Sequence, residues 1–344
     1  MHSCRIPIVN DPDVPVKVLV AGLGSIGTRH SRNYKALGCV VSGFDPTDER
    51  LMSFEDEIGG VAFDSYESAL AGRPDLVAIS SPNVHHLPQA FKAIESGCRA
   101  LFIEKPLGTD LAEARRFAAF AAENACYVHV GSNWKFHPAF LQMKEWITSG
   151  RLGTITGAQV IAGQWLPDWH PWEDYRQMYA ARKSLGGGAI FDTHELDYLR
   201  WLLGPVQSFI GLKQHSGALE IETEDVAACV MRFASGALGV LLTDYIQRVG
   251  RRRYHISGSE GAMEWDLSTN RLVFSHSGAP EAEVIDTCVE DLNEMYVAQS
   301  RRILDDLRTG NTPVTSLADM LEVLTLQDAW HGGERFECGA GVLA

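Results

Sequence analysis

The 344-residue chain has no apolar run near the roughly 18 residues that a membrane helix needs. It also lacks a basic tail: Lys and Arg number 30 against 44 Asp and Glu, a formal net charge of −14. Nucleic-acid affinity is mostly phosphate neutralisation, so this acidic balance argues against such a partner. The one basic run, Arg251-Arg252-Arg253, is short and strand-like, and a solvated strand face is its expected fate. Cysteines are few and scattered, at positions 4, 39, 98, 126, 229, 288 and 338, with no C-x-x-C pair. That spacing suits neither zinc nor a disulfide framework; it predicts no metal site and free thiols in a reducing compartment. Met1 to Val16 has no apolar h-region and does not read as a signal peptide. A cytoplasmic protein is expected, without internal repeats or low-complexity tracts.

What is present suits a soluble globular protein. Hydrophobic residues make up 45% and charged ones 22%, and the length predicts two domains. From Val16 to Gly131, short apolar runs alternate with helical stretches. Val16–Ala21, Cys39–Phe44, Leu76–Ser80, Ala100–Glu104 and Tyr127–Val130 read as strands, with helices over 26–37, 87–96 and 110–123 between several of them. Unbroken apolar runs fit strands buried on both faces, so a doubly wound parallel sheet is predicted. Beyond a helix at 139–148, seven strand-like runs follow between residues 154 and 276, several separated by turn pairs such as Ser235-Gly236. These predict an open, mostly antiparallel sheet. One helix, Ala189–Leu203, interrupts the strands, and helices over 291–309 and 317–330 close the chain. The predicted fold is α/β: a Rossmann domain over 16–132 and a substrate-binding and oligomerisation domain over 133–335.

Gly22-Leu23-Gly24-Ser25-Ile26-Gly27 follows the first strand and opens a helix, the context that makes this pattern a dinucleotide fingerprint. Gly22 permits the tight turn, Gly24 admits a pyrophosphate, and Gly27 lets helix and strand pack closely. Ser25 and Ile26 supply first-turn N–H groups to the phosphates. Asp45 ends the second strand about 20 residues on, placed to accept bonds from the ribose hydroxyls. Its charge would repel a 2′-phosphate, so NAD is favoured over NADP, although nearby Arg50 weakens that exclusion. At the end of a later strand, Glu104-Lys105-Pro106 puts a lysine where doubly wound sheets bind ligands.

Three further segments complete a pattern: Ser81-Pro82-Asn83-Val84-His85-His86; Gly131-Ser132-Asn133-Trp134-Lys135-Phe136-His137-Pro138; and Gly186-Gly187-Gly188 leading to Asp192, His194 and Asp197. Together with the fingerprint and Glu104-Lys105-Pro106, they resemble the glucose–fructose oxidoreductase / inositol dehydrogenase / MocA family of nicotinamide-dependent oxidoreductases. The resemblance runs from about Val16 to Trp330. It implies that Lys105 and His194 are catalytic, with Asp197 as the family's acid three residues after the histidine. The aspartate usual four residues before that histidine is replaced by Ile190. Asp192 stands only two residues before it, and residues two apart do not share a helix face. Either the segment is not helical there, or Asp192 does not orient His194.

The resemblance further implies cofactor contacts from Ser81, Pro82, Asn83, His86, Glu104, Lys105 and Pro106, and a homodimer or homotetramer. Taking a hydride from a secondary alcohol needs a base for the hydroxyl proton, and histidine serves near neutral pH. A lysine ammonium stabilises the developing alkoxide. The substrate is expected to be a sugar, amino sugar, nucleotide sugar or cyclitol, bound with help from Asn133, Lys135, Trp169, Tyr175 and Tyr179. The aromatic segment 164–176 fits a sugar platform and a subunit interface equally well. The rival readings are a family enzyme that uses NAD transiently or acts on a non-sugar substrate, and a non-catalytic NAD or sugar sensor.

Overall fold

The computed structural model describes residues 8–9, 14–333 and 336–337; Cys4, Cys338 and most of the N-terminal stretch lie outside them. In chain order the elements are β1 (Lys17–Ala21), α1 (Ser25–Ala36), β2 (Val40–Phe44), α2 (Asp48–Ile58), β3 (Ala62–Phe63), α3 (Tyr66–Ala71), β4 (Leu76–Ile79), α4 (His86–Glu95), β5 (Ala100–Ile103), α5 (Leu111–Glu123) and β6 (Tyr127–Val130). After these come α6 (Pro138–Thr148), β7 (Ile155–Gly163), α7 (Ala189–Asp192), α8 (Glu195–Leu203), β8 (Val206–Gln214), β9 (Val226–Phe233) and β10 (Leu238–Asp244). The chain ends with β11 (Arg251–Gly258), β12 (Gly261–Asp266), β13 (Arg271–His276), β14 (Glu283–Asp286), α9 (Asn293–Thr309), α10 (Leu317–Gly332) and β15 (Phe336–Glu337).

The described residues form two compact units, one holding those up to 136 with 291–321 and the other 137–290 with those from 322 onward. The first holds a six-stranded sheet in the order β3-β2-β1-β4-β5-β6, parallel at every pairing. Strand order reverses between β1 and β4, the switch point where such sheets bind ligands outside the strands' carboxyl ends. β4 and β5 are buried along their whole length, as unbroken apolar runs require. The domain boundary differs from the sequence expectation. Residues 133–136 and 291–321 belong with the first unit, because Ile303, Leu304 and Leu307 of α9 enter the core formed by Val18, Val20, Phe102 and their neighbours.

The second unit contains a nine-stranded sheet, β14-β13-β12-β11-β7-β10-β9-β8-β15. It is antiparallel except where β7 pairs with β10. One of its faces is close-packed: a Cβ at Gly211 would stand 2.3 Å from Trp330. The other carries exposed apolar side chains. Ile210, Val230 and Val240 lie side by side across β8, β9 and β10, and Leu212, Ala228, Leu242 and Ile161 form the next row.

Two local expectations are corrected. Arg251-Arg252-Arg253 is not a uniformly solvated face: strand alternation leaves Arg251 and Arg253 exposed and turns Arg252 inward to Glu195, at 2.8 Å. The helix expected over 189–203 is broken at Thr193-His194. Thr193 is extended (φ −68°, ψ 130°), and its hydroxyl donates to Glu195 Oε2 at 2.9 Å. Gln327 donates its amide to the carbonyls of Ile190 and Phe191, satisfying helix-end groups that α7 leaves open. Among the described residues no helix is long and apolar enough to cross a membrane, and no group of ligating side chains could hold a metal. Cys39, Cys98, Cys229 and Cys288 are free thiols.

Candidate active site

In the first unit the fingerprint turn is built for close approach. Gly22 takes φ 93°, and a Cβ there would lie 2.6 Å from the Ser81 backbone. At Gly27 a Cβ would lie 1.8 Å from the Gly22 carbonyl oxygen, so α1 can begin this near the turn only with glycine. Gly24 is the N-cap of α1 and no side chain caps the helix; the space beside it is open. The first-turn N–H groups therefore have no intrahelical acceptor and face a position that suits an anion. This arrangement fits the pyrophosphate of a dinucleotide.

Asp45 follows β2 and is 1% exposed. Its Oδ2 accepts the Leu23 N–H at 2.8 Å, and its Oδ1 accepts the Thr47 N–H at 3.0 Å. The carboxylate thus ties the fingerprint turn to the end of β2. Arg50 reaches Oδ2 at 3.3 Å, so its guanidinium is engaged with Asp45 itself. A carboxylate has about four acceptor sites, which leaves capacity for a ribose hydroxyl.

The loops after β4 and β5 are joined. Nδ1 of buried His86 lies 2.8 Å from the Pro106 carbonyl oxygen, and Nε2 lies 2.8 Å from that of Ser81. Burial pushes the His86 imidazole below its ordinary pKa, against the pull of both carbonyls. Ser81 donates to Gln89 at 2.7 Å, while Pro82 precedes a short helical turn over Asn83–His85. The Lys105–Pro106 peptide bond is cis. Glu104 turns inward: Oε1 lies 2.6 Å from His30 Nε2, and Oε2 accepts the Lys105 N–H at 3.1 Å. Burial alone would raise the Glu104 carboxyl's pKa, but His30 and Lys105 outweigh it and hold the group below the usual carboxylate range.

The histidine expected from the sequence lies in the second unit. His194 N-caps α8 immediately after the break, with Nδ1 3.3 Å from the Tyr198 hydroxyl and the two rings stacked at 5.7 Å. Because α7 and α8 are separate helices, the helical spacing rule does not govern Asp192 and His194. Asp192 Oδ1 accepts the Tyr179 hydroxyl at 2.5 Å. Asp197 is buried in α8. Behind the break, Glu195 is 1% exposed and paired with Arg252. Burial lowers the Arg252 pKa, but the charge and hydrogen bond of Glu195, together with Tyr198 and Tyr254, outweigh it and hold the group above its ordinary value.

The expected substrate residues are distributed between the units. Asn133 and Lys135 lie on a short helix of the first unit, where Lys135 is 1% exposed and donates to Thr315 at 2.9 Å. Trp169 packs edge-on against Tyr245 at 5.3 Å, within a small core that also takes Tyr175 and Tyr179. The three tryptophans of the aromatic segment find different surroundings: Arg248 lies 3.5 Å over Trp165, Trp169 joins the small core, and Trp172 is 77% exposed. Sequence reasoning gave no role to His30, Tyr296, Glu195 or Arg252. Their partners are dozens of residues away, and nothing local signals such contacts.

A fingerprint turn on an open helix N-terminus, at the switch point of a parallel sheet, defines a dinucleotide-dependent oxidoreductase. Residues 16–132 match the family model described as "Oxidoreductase family, NAD-binding Rossmann fold", and 140–264 match "GFO/IDH/MocA C-terminal domain". The chain belongs to the GFO/IDH/MocA family of NAD-binding oxidoreductases. It is 24% identical over 321 residues to myo-inositol 2-dehydrogenase of Thermotoga maritima, covering 88% of this chain and 92% of that protein. It is 25% identical over 262 residues to UDP-N-acetylglucosamine 3-dehydrogenase of Acidithiobacillus ferrooxidans, covering 76% and 77%. The WlbA dehydrogenase of Bordetella pertussis, solved with NADH and UDP-GlcNAcA, shares the fold with a TM-score of 0.81. That match covers 95% of this chain and 98% of the other at 23% identity.

Proposed function

We propose that the protein is an NAD-dependent dehydrogenase acting on a secondary alcohol of a sugar, amino sugar, nucleotide sugar or cyclitol. The observation that carries this reading is the fixed backbone of Lys105 beyond β5, held by Glu104 at the ligand-binding end of a NAD-type sheet. The names of the relatives, an inositol dehydrogenase and a UDP-sugar dehydrogenase, support the substrate class. NAD, when bound, accepts the hydride. His194 takes the hydroxyl proton in this reading, with the Tyr198 hydroxyl 3.3 Å from its Nδ1. The Lys105 ammonium stabilises the negative charge that develops on the carbinol oxygen. Gly22, Gly24, Ser25, Ile26 and Gly27 hold the pyrophosphate and Asp45 the ribose, with NAD preferred over NADP.

The test is absorbance at the NADH band with NAD and, in parallel, NADP, across free sugars, amino sugars, nucleotide sugars and inositols. NADH formation with one class, stronger with NAD, is the expected result. A silent panel from protein that binds NADH, seen by tryptophan quenching, would overturn the reading in favour of a sensor or a redox-neutral enzyme.

The same reading includes a homodimer or homotetramer. Its support is the exposed row Ile210, Val230 and Val240 with Leu212, at 52%, 50%, 45% and 76% exposure, a flat apolar face that suits a second copy. Light scattering at micromolar concentration should give a multiple of the chain mass, and Val230→Glu should reduce it. A monomeric wild type would refute the assembly.

A further inference from the structure

His30 lies three residues beyond Gly27 on α1, the helix whose N-terminus suits the pyrophosphate, and it is fully buried. Its Nε2 stands 2.6 Å from Glu104 Oε1. An ionised carboxylate only accepts, so the ring donates from Nε2. The ring is held edge-on by Phe102 at 4.9 Å and Tyr296 at 5.9 Å, and Arg29 sits 4.7 Å over Tyr296. Glu104 has little room to swing, since even a Cβ at Gly131 would come within 2.7 Å of Oε2. That same oxygen accepts the Lys105 N–H. One continuous set of contacts therefore runs from the fingerprint helix to the backbone of the lysine.

We propose that His30 is a positioning residue for Lys105, acting through Glu104, so that α1 both receives the cofactor and fixes the lysine loop. This role rests on the dehydrogenase reading of Lys105, but the contacts themselves all lie within the first unit. His30 does two things in it. It keeps a buried carboxylate ionised that would otherwise neutralise itself by taking a proton. It also aims that carboxylate so that one oxygen remains on the lysine backbone. The ionised carboxylate in turn favours the ammonium form of Lys105. Groups of the first unit that feel the charge of Glu104 include His30, Lys105, Tyr34, His86 and Tyr296. Of these, Lys105 carries the amine whose charge the proposed chemistry uses, so its titration is the one to follow.

The experiment compares His30→Leu, His30→Gln and Glu104→Gln with wild type. Lys105 is followed by carbon NMR of reductively methylated holoprotein, its signal assigned with Lys105→Arg, alongside pH profiles of kcat and fluorescence titration of NADH. In His30→Leu and Glu104→Gln the Lys105 titration and the alkaline limb of kcat should both fall by about one pH unit. Misplacement of the lysine should lower kcat by about 10²-fold while NADH binding holds. His30→Gln retains an N–H donor and should recover most of both. An unmoved Lys105 titration in these variants overturns the proposal, as does a kcat loss that merely follows lost NADH affinity. If His30→Leu does not fold, the other two variants decide. A wild type without turnover on any substrate would remove the dehydrogenase reading, while the NMR titration would still decide whether the pair acts on Lys105.

Discussion

Lys105→Met should lower turnover by about 10³-fold or more and leave NADH affinity close to wild type. Methionine keeps an unbranched, flexible side chain one atom shorter than lysine's and removes the charge and its protons. The loop should keep its shape, because Glu104 and His86 hold it through the Lys105 N–H and the Pro106 carbonyl. The loss would therefore fall on kcat, the signature of an interaction that matters in the transition state. His194→Ala should lose a comparable factor, since in the proposed reaction it removes the group that takes the proton. If the two act on one oxygen, the double variant will lose less than the product of the separate losses. Stopped-flow absorbance at the NADH band, with NADH affinity measured separately by fluorescence, makes the comparison. A Lys105→Met enzyme within a few-fold of wild type would take the lysine out of the chemistry.

Much of the first unit was legible because its physics is local. Strands buried on both faces appear as unbroken apolar runs, and a glycine fingerprint has its meaning when it follows one of them. The spacing from Gly22 to Asp45 pointed to a carboxylate at the end of β2, and the structure has it there, bonded to Leu23. Two-residue β3 was too short to leave a pattern, and β14, four residues and mostly exposed, offered no apolar run. α9 shows how sequence order misleads: it follows the second sheet in the chain, yet its apolar face belongs to the core of the first unit.

The region around His194 was readable only in part. Its residues were identified through the family resemblance, supported by the glycines and acids around them, but helical periodicity continued through Thr193 and concealed the break. The break depends on Gln327, more than 130 residues away, which takes up the carbonyls at the end of α7. The same limit hid Arg252. An arginine between two arginines has no signal of burial, and only the alternation of β11, fixed by its pairing with β7 and β12, turns the middle one inward.

Arg252→Met should therefore be strongly destabilising. It would leave the Glu195 carboxylate, 1% exposed, with no cation and only the hydroxyls of Thr193 and Tyr254, the latter at 3.5 Å. Removing one partner of a buried pair costs about 3–5 kcal/mol, because the remaining charge stays out of water. Glu195→Met should cost less, since the Arg252 side chain keeps 16% of its surface in solvent. Replacing both together should cost far less than the sum, since two apolar side chains leave no uncompensated charge. Urea unfolding followed by circular dichroism gives the three values, and additive losses would show that the residues do not act as a pair. The effect should also reach catalysis. Thr193 and Glu195 bond one another on either side of His194, so losing the guanidinium loosens the turn from which the imidazole projects. In the double-apolar variant stability should largely return while turnover stays low, because methionine at 195 cannot accept the Thr193 hydroxyl that helps fix the break.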